Sequence, residues 1–169
     1  GGLPPRIPRP VPLGPWPAME AAEAAALATP VESALGVIRR AEAVERALET
    51  PTGPDDPRLA WILEQEPRWH EAGDKMLIFV HRRESLDLLK SELERRAMRR
   101  VGVFHEDLTP AARDLEVAQF ALPEGPTVLV STEAGGEGRN FEFCRGLVLF
   151  DLPWNPVLVE QRIGRLDRI

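Results

Sequence analysis

Residues Lys75-Met76-Leu77-Ile78-Phe79-Val80 carry five large apolar side chains in succession. A run of that length suits one strand. Successive strand side chains point to opposite faces of a sheet, so a strand apolar at every position has to be covered on both sides. Residues 127–131 and 146–150 have the same character, and residues 100–104 are expected to add a strand. Between these runs the apolar period lengthens. Residues 58–71 read as a helix, as do residues 83–98 with Leu86, Leu89, Leu93 and Met98 on one stripe. Thr109-Pro110 reads as an N-cap followed by Pro at the first helical position of a helix reaching Ala121, and Asn155-Pro156 repeats the signal for a closing helix. Doubly covered strands alternating with helices require crossover connections, so the expected fold class is α/β: three layers around a central, mainly parallel sheet. Ligands on such sheets gather outside the carboxyl ends of the strands, where His81, His105, Thr132 and Asp151 fall.

The first third of the chain is different. Residues 1–17 hold seven prolines, which keep the stretch extended as a connector or an edge strand over residues 7–13. Residues 18–28 and 31–49 turn to Ala, Leu, Glu and Arg and read as helices broken at Thr29-Pro30, the second with a stripe of Leu35, Ile38, Val44 and Leu48. The division expected is therefore a Pro-rich and helical lead-in at 1–56 and an α/β domain at 57–169. A net charge of -6 argues against wrapping nucleic acid by bulk electrostatics, though it leaves room for a local basic strip. No apolar run approaches the ~20 residues that span a bilayer, which points to a cytosolic protein without a membrane partner. The single cysteine, Cys144, excludes an internal disulfide and a multi-cysteine metal site, and reads as a small core residue.

Three groups of residues could carry chemistry. The stretch Ser131-Thr132-Glu133-Ala134-Gly135-Gly136-Glu137-Gly138-Arg139-Asn140 follows a buried strand. Its three glycines would let backbone N–H groups approach a phosphate, with the hydroxyls of Ser131 and Thr132 as further donors. The same residues read equally as a tight turn, and no Gly-Lys-Ser/Thr follows to make a P-loop. Arg162, Arg165 and Arg168 stand at spacing three, so a helix brings neighbouring guanidinium groups onto one strip. That strip is either a solvated face salt-bridged by Glu160 and Asp167 or an anion site. His81 and His105 have no nucleophile or metal partner, which leaves them as donors to a phosphate or a carbonyl, His105 the stronger candidate. Asp151 and Asn155 are expected to fix the turn into the closing helix, with Trp154 as a packing residue.

In chain order these segments are Lys75 to Val80, Val103-Phe104-His105-Glu106 with the helix carrying Arg113, Val128 to Phe141, Phe150-Asp151-Leu152-Pro153-Trp154-Asn155-Pro156, and Gln161 to Ile169. Together they resemble the motifs of the second RecA-like lobe of superfamily 2 helicases and translocases, most closely the Swi/Snf-type ATPases of the bacterial RapA kind, which recycle RNA polymerase. The resemblance covers about the last two thirds of the chain, more loosely from Pro57 than from Lys75.

The resemblance implies a RecA-like lobe of an ATP-driven motor on double-stranded DNA, with ATP in the cleft against a first lobe of the same protein and Mg2+ held mainly by that first lobe. Arg165 and Arg168 would be arginine fingers, Gln161 and Arg162 would set the interface, and Gly138 and Asn140 would face the nucleotide. Thr132 and Gly135 match positions near the nucleic-acid backbone, with His105 and Ser131 beside them. RNA polymerase is the candidate partner. The 169 residues are then expected to be a fragment, truncated at the C-terminal end and inactive alone. Two other readings stay open: a RecA-like binding module without an ATP cycle, docking through its leader, and a lobe of a strand-separating DNA or RNA helicase. Residues 137–141 and 154–156 favour the Swi/Snf side.

Overall fold

The computed structural model describes residues 56–132 and 143–151. The lead-in segment, the Gly-rich stretch after Thr132 and the closing helix lie outside these residues. The described chain runs α1 (Pro57–Ala72), β1 (Met76–Val80), α2 (Arg83–Ala97), β2 (Gly102–Phe104), α3 (Pro110–Ala121), β3 (Val128–Thr132) and β4 (Gly146–Leu149).

Local chemistry sets the ends of the helices. Asp56 caps α1 by accepting from Arg58 N at 2.9 Å, and Pro57 occupies the first helical position, where its missing N–H costs nothing. At the other end Gly73 adopts φ 73°, so that Gly73 N reaches His70 O and Asp74 N reaches Trp69 O, a pair of bonds that satisfies carbonyls the helix leaves over. Pro67 interrupts the α1 ladder, yet Leu59 and Ile62 are fully buried and hold the helix on the sheet. Thr109 caps α3 as expected, accepting from Ala112 N at 3.1 Å. The expected extension of α2 through Met98 is not observed. The helix stops at Ala97, and Met98 turns left-handed at φ 57° with its side chain 83% exposed, so it leaves the apolar stripe that Leu86, Leu89 and Leu93 form.

The strand order is β2-β3-β1-β4, and every described pairing is parallel. Ile78 of β1 stands opposite Val130 of β3 on one side and Val148 of β4 on the other. The continuous apolar run of β1 is explained by alternation. Met76, Ile78 and Val80 pack with Val128 and Val130 beneath Leu59 and Ile62 of α1 and Leu86, Leu89 and Leu93 of α2. Leu77 and Phe79 pack with Phe104 and Leu129 against Phe120 of α3 on the opposite face. From β1 the chain moves two places along the sheet to β2 and then one place back to β3. Crossovers of one hand that travel in opposite directions must lie on opposite faces, which is why α2 and α3 form separate layers.

One of the two outermost described strands, β2, is covered by a side chain. Val103 N donates to Glu116 Oε2 of α3 at 3.1 Å, while Glu116 Oε1 accepts from Arg100 at 2.7 Å. An exposed row of backbone donors would otherwise invite pairing with another strand.

Candidate functional site

Parallel strands finish on one edge, so Val80, Phe104, Thr132 and Leu149 bring four following segments together. Val80 of β1 is in register with Thr132 of β3, and Phe104 of β2 with Ser131. Asp151, after β4, accepts from the backbone N–H of His81, after β1, at 2.9 Å and ties those two segments.

The segment after β2 supplies most of the polar groups. His105 is 5% exposed, and its Nδ1 lies 3.0 Å from Arg83 Nη1 and 3.3 Å from Asp107 N. A guanidinium and a backbone amide can only donate, so Nδ1 must accept and the neutral ring carries its proton on Nε2. Burial, and then the Arg83 charge, lower the pKa of His105 and favour that neutral form. Arg83 also reaches Asp107 Oδ2 at 2.7 Å and Asp87 Oδ1 at 3.1 Å. From α3, Arg113 donates to the carbonyls of His105 (3.2 Å) and Glu106 (2.9 Å), fixing the backbone of the segment.

Thr132 Oγ1 donates to Glu106 Oε2 at 2.8 Å. The Glu106 carboxyl is held below the usual carboxylate range by its own backbone N–H and then by the Thr132 hydroxyl. Ser131 is fully buried, and its hydroxyl donates to Thr132 O at 2.8 Å, so it shapes the end of β3 from within.

His105, Ser131 and Thr132 thus stand together, with Asp151 on the same edge. Gly135, Gly138, Asn140, Trp154, Asn155, Gln161, Arg162, Arg165 and Arg168 lie outside the described residues. Three participants carry no assigned role in the sequence reading: Arg83, Glu106 and Arg113. Each follows a strand or lies on the next helix turn, but a charged residue at a strand end looks the same in sequence whether it faces solvent or a neighbouring loop. Cys144 packs beside Phe120 and Leu147, and burial pushes its thiol up to about 12, which makes it inert at neutral pH. Among the described residues no group of three or more His, Cys, Asp or Glu could hold a metal ion, and no helix is long and apolar enough to cross a membrane. A hollow of about 410 Å3 lies at the opposite edge, lined in part by His70, Arg99, Arg100 and Thr127, and its arginines are already committed to carboxylates.

The family profile of the helicase conserved C-terminal domain matches residues 58–169. The chain belongs to this family. It is 46% identical over 115 residues to the RNA polymerase-associated protein RapA of Vibrio parahaemolyticus serotype O3:K6, a match covering 68% of this chain and 12% of that protein. The RapA of Yersinia pestis strain Pestoides F matches at the same identity and coverage. The chain therefore spans about 12% of the length of these relatives. Among solved structures, the Sulfolobus solfataricus SWI2/SNF2 ATPase C-terminal domain superposes with a TM-score of 0.63 at 19% identity, covering 83% of this chain and 69% of that one. The core of the same organism's SWI2/SNF2 ATPase in complex with double-stranded DNA superposes with a TM-score of 0.67 at 17% identity, covering 90% and 36%. At those identities the likeness shows fold, and the fold is the RecA-like helicase lobe that the motif resemblance implies.

Proposed function

We propose that this helicase C-terminal domain is the second motor lobe of an ATP-dependent translocase on double-stranded DNA, working against a first lobe of the same protein and, by its likeness to RapA, in contact with RNA polymerase. The observation that supports it best is the shared edge: the segments after β1, β2, β3 and β4 converge, and the motif stretches that resemble nucleotide- and nucleic-acid-facing sequences continue from those strand ends.

In this reading His105, Thr132 and Gly135 face the nucleic-acid backbone, with Ser131 supporting Thr132 from inside the strand. Neutral donors of that kind hold a phosphate without reading sequence, as a motor that tracks along DNA requires. Gly138, Asn140, Gln161 and Arg162 face the nucleotide, and Arg165 and Arg168 serve as arginine fingers. The named donors are guanidinium groups, side-chain amides and glycine backbone, none of them anionic, which suits a triphosphate. ATP, when bound, supplies the phosphoryl group whose transfer drives movement. The part of Arg165 and Arg168 is to present fixed positive charge where negative charge develops, an arrangement worth about 10³ to 10⁵ in rate. Mg2+ falls to the first lobe.

The test is made in the full-length protein. Arg165→Ala and Arg168→Ala are each expected to lower DNA-stimulated ATP turnover by about 10³ or more, with nucleotide affinity nearly unchanged. Turnover at the wild-type rate in both variants would refute the finger assignment.

A further inference from the structure

The Glu106 carboxylate sits where an anion-binding edge has least use for a negative charge. Thr132 is 3% exposed at the end of a fully buried strand, and its hydroxyl donates to Glu106 Oε2 at 2.8 Å across 26 residues of sequence. Glu106 itself is an exposed residue of the segment between β2 and α3. Among the described residues no Lys, Arg or His forms an ion pair with it, although Arg83 and Arg113 both lie in the same network. Arg83 is committed to Asp87, Asp107 and the His105 ring, and Arg113 to two carbonyls.

Carboxylate and phosphate oxygens are alike to a hydroxyl donor: both are anionic acceptors that shorten and strengthen the bond. We propose that Glu106 is a built-in stand-in for a backbone phosphate, occupying the Thr132 hydroxyl until nucleic acid displaces it. The inference rests on the reading of Thr132 as a nucleic-acid-facing residue.

The geometry suits displacement. Arg113 pins the Glu106 carbonyl at 2.9 Å, so the backbone stays in place and only the side chain needs to turn. Turning it outward gives up the contact with its own backbone N–H as well as the Thr132 hydroxyl, but it breaks no ion pair among the described residues and returns the carboxylate to water, which solvates it well. The incoming phosphate then takes over the hydroxyl. The exchange is nearly balanced, and the carboxylate left beside the phosphate repels it, so Glu106 lowers affinity in the absence of nucleotide. A motor gains from this, because a strand held weakly in one state can be released at each step.

The experiment uses the full-length protein, a fluorescent DNA duplex and anisotropy titration without nucleotide, with thermal melts as a folding control. Glu106→Gln keeps the shape and removes the charge, and Glu106→Ala removes the acceptor as well. Both are expected to bind the duplex about three- to tenfold more tightly than wild type, a change of about 0.6 to 1.4 kcal/mol. Thr132→Val is expected to weaken binding, and more so in the Glu106→Ala background, where the hydroxyl no longer has to leave a carboxylate first. If Thr132→Val weakens binding while both Glu106 variants bind as wild type or worse, Glu106 is a structural support and the stand-in is overturned. If Thr132→Val changes nothing in either background, the reading of Thr132 fails and takes the inference with it.

Discussion

Arg99 reaches Glu66 at 2.7 Å near the amino-terminal ends of the strands, and Arg83 reaches Asp107 at the same 2.7 Å near the carboxyl ends. The two arginines are equally exposed, 32% and 34%, but the Glu66 side chain is 3% exposed and that of Asp107 is 74%. Equal distances therefore conceal different energetics. A buried carboxylate that loses its partner has no water to replace it, whereas an exposed one exchanges partner for solvent at little cost. Neighbouring contacts extend the difference. At the amino-terminal edge Glu66 takes a second bond from Arg99 at 2.9 Å, and Lys75 Nζ donates to the carbonyls of Gly125 (3.1 Å) and Pro126 (2.8 Å). At the carboxyl edge the acceptors Asp87, Glu106 and Asp107 are all exposed. The carboxyl edge has fixed staples of charge too, buried Asp151 on the His81 N–H and the buried Asp56–Arg58 pair against Phe150, but it alone adds this set of exposed carboxylates, exchangeable contacts that suit a ligand that comes and goes.

The largest effect should come from the amino-terminal edge, at Gly125. A Cβ built there would lie 1.8 Å from Gln119 O, a backbone atom that cannot turn aside. Gly125→Ala therefore has to shift the turn joining α3 to β3, along with the carbonyl that Lys75 grips. A loss of about 3 kcal/mol or more is expected in urea denaturation of the domain. A loss under about 1 kcal/mol would show that this edge yields as easily as the other.

A paired substitution sharpens it. Arg99→Met keeps much of the side-chain volume and leaves Glu66 buried without its cation. About 2 kcal/mol should be lost, less than the ~3 to 5 of a fully buried pair because Arg99 is one-third exposed. Asp107→Ala breaks the equally short bond at the other edge and should change stability by no more than about 0.5 kcal/mol. Equal losses from the two would mean that distance rather than burial sets the worth of these pairs.

The staples and the exchangeable contacts were not equally legible in the sequence. Strand and helix periods reached all the described elements to within a residue or two, because a doubly covered sheet writes its pattern into every position of β1 and β3. Met98 misled for a physical reason: an apolar side chain at the right helical spacing carries no sign that the backbone has already turned left-handed. The site was only half legible. The positions of His105 just after its strand and of Thr132 at the carboxyl end of its strand could be read from topology, to within a residue, but the Thr132–Glu106 bond joins segments 26 residues apart, and the Arg83–His105 contact joins two different crossovers. No periodicity reports such pairings. What sets the His105 tautomer is likewise a matter of which donors surround Nδ1, and those come from α2 and from the backbone of its own segment.

That tautomer yields the smallest of the expected effects. Burial, and then the Arg83 charge, lower the pKa of His105 from its ordinary value of 6.5, while the charges of Glu106, Asp107 and Asp87 offset part of that. In the unfolded chain the ring takes up a proton near pH 6.5, and in the folded chain it does so only at lower pH. Between those limits the unfolded state binds more protons, so stability rises with pH; it is whole above 6.5 and is lost as pH falls through the folded value. Glu106 titrates in the same direction, but in a separate window below its ordinary 4.5. Urea denaturation between pH 7 and pH 5.5 should therefore show a shallow decline in the wild-type domain that Glu106 does not contribute to. His105→Gln, which keeps a donor and an acceptor but cannot be protonated, should flatten that decline. An unchanged slope would mean that the ring titrates as it does in the unfolded chain, and that Arg83 at this edge does not hold the histidine neutral.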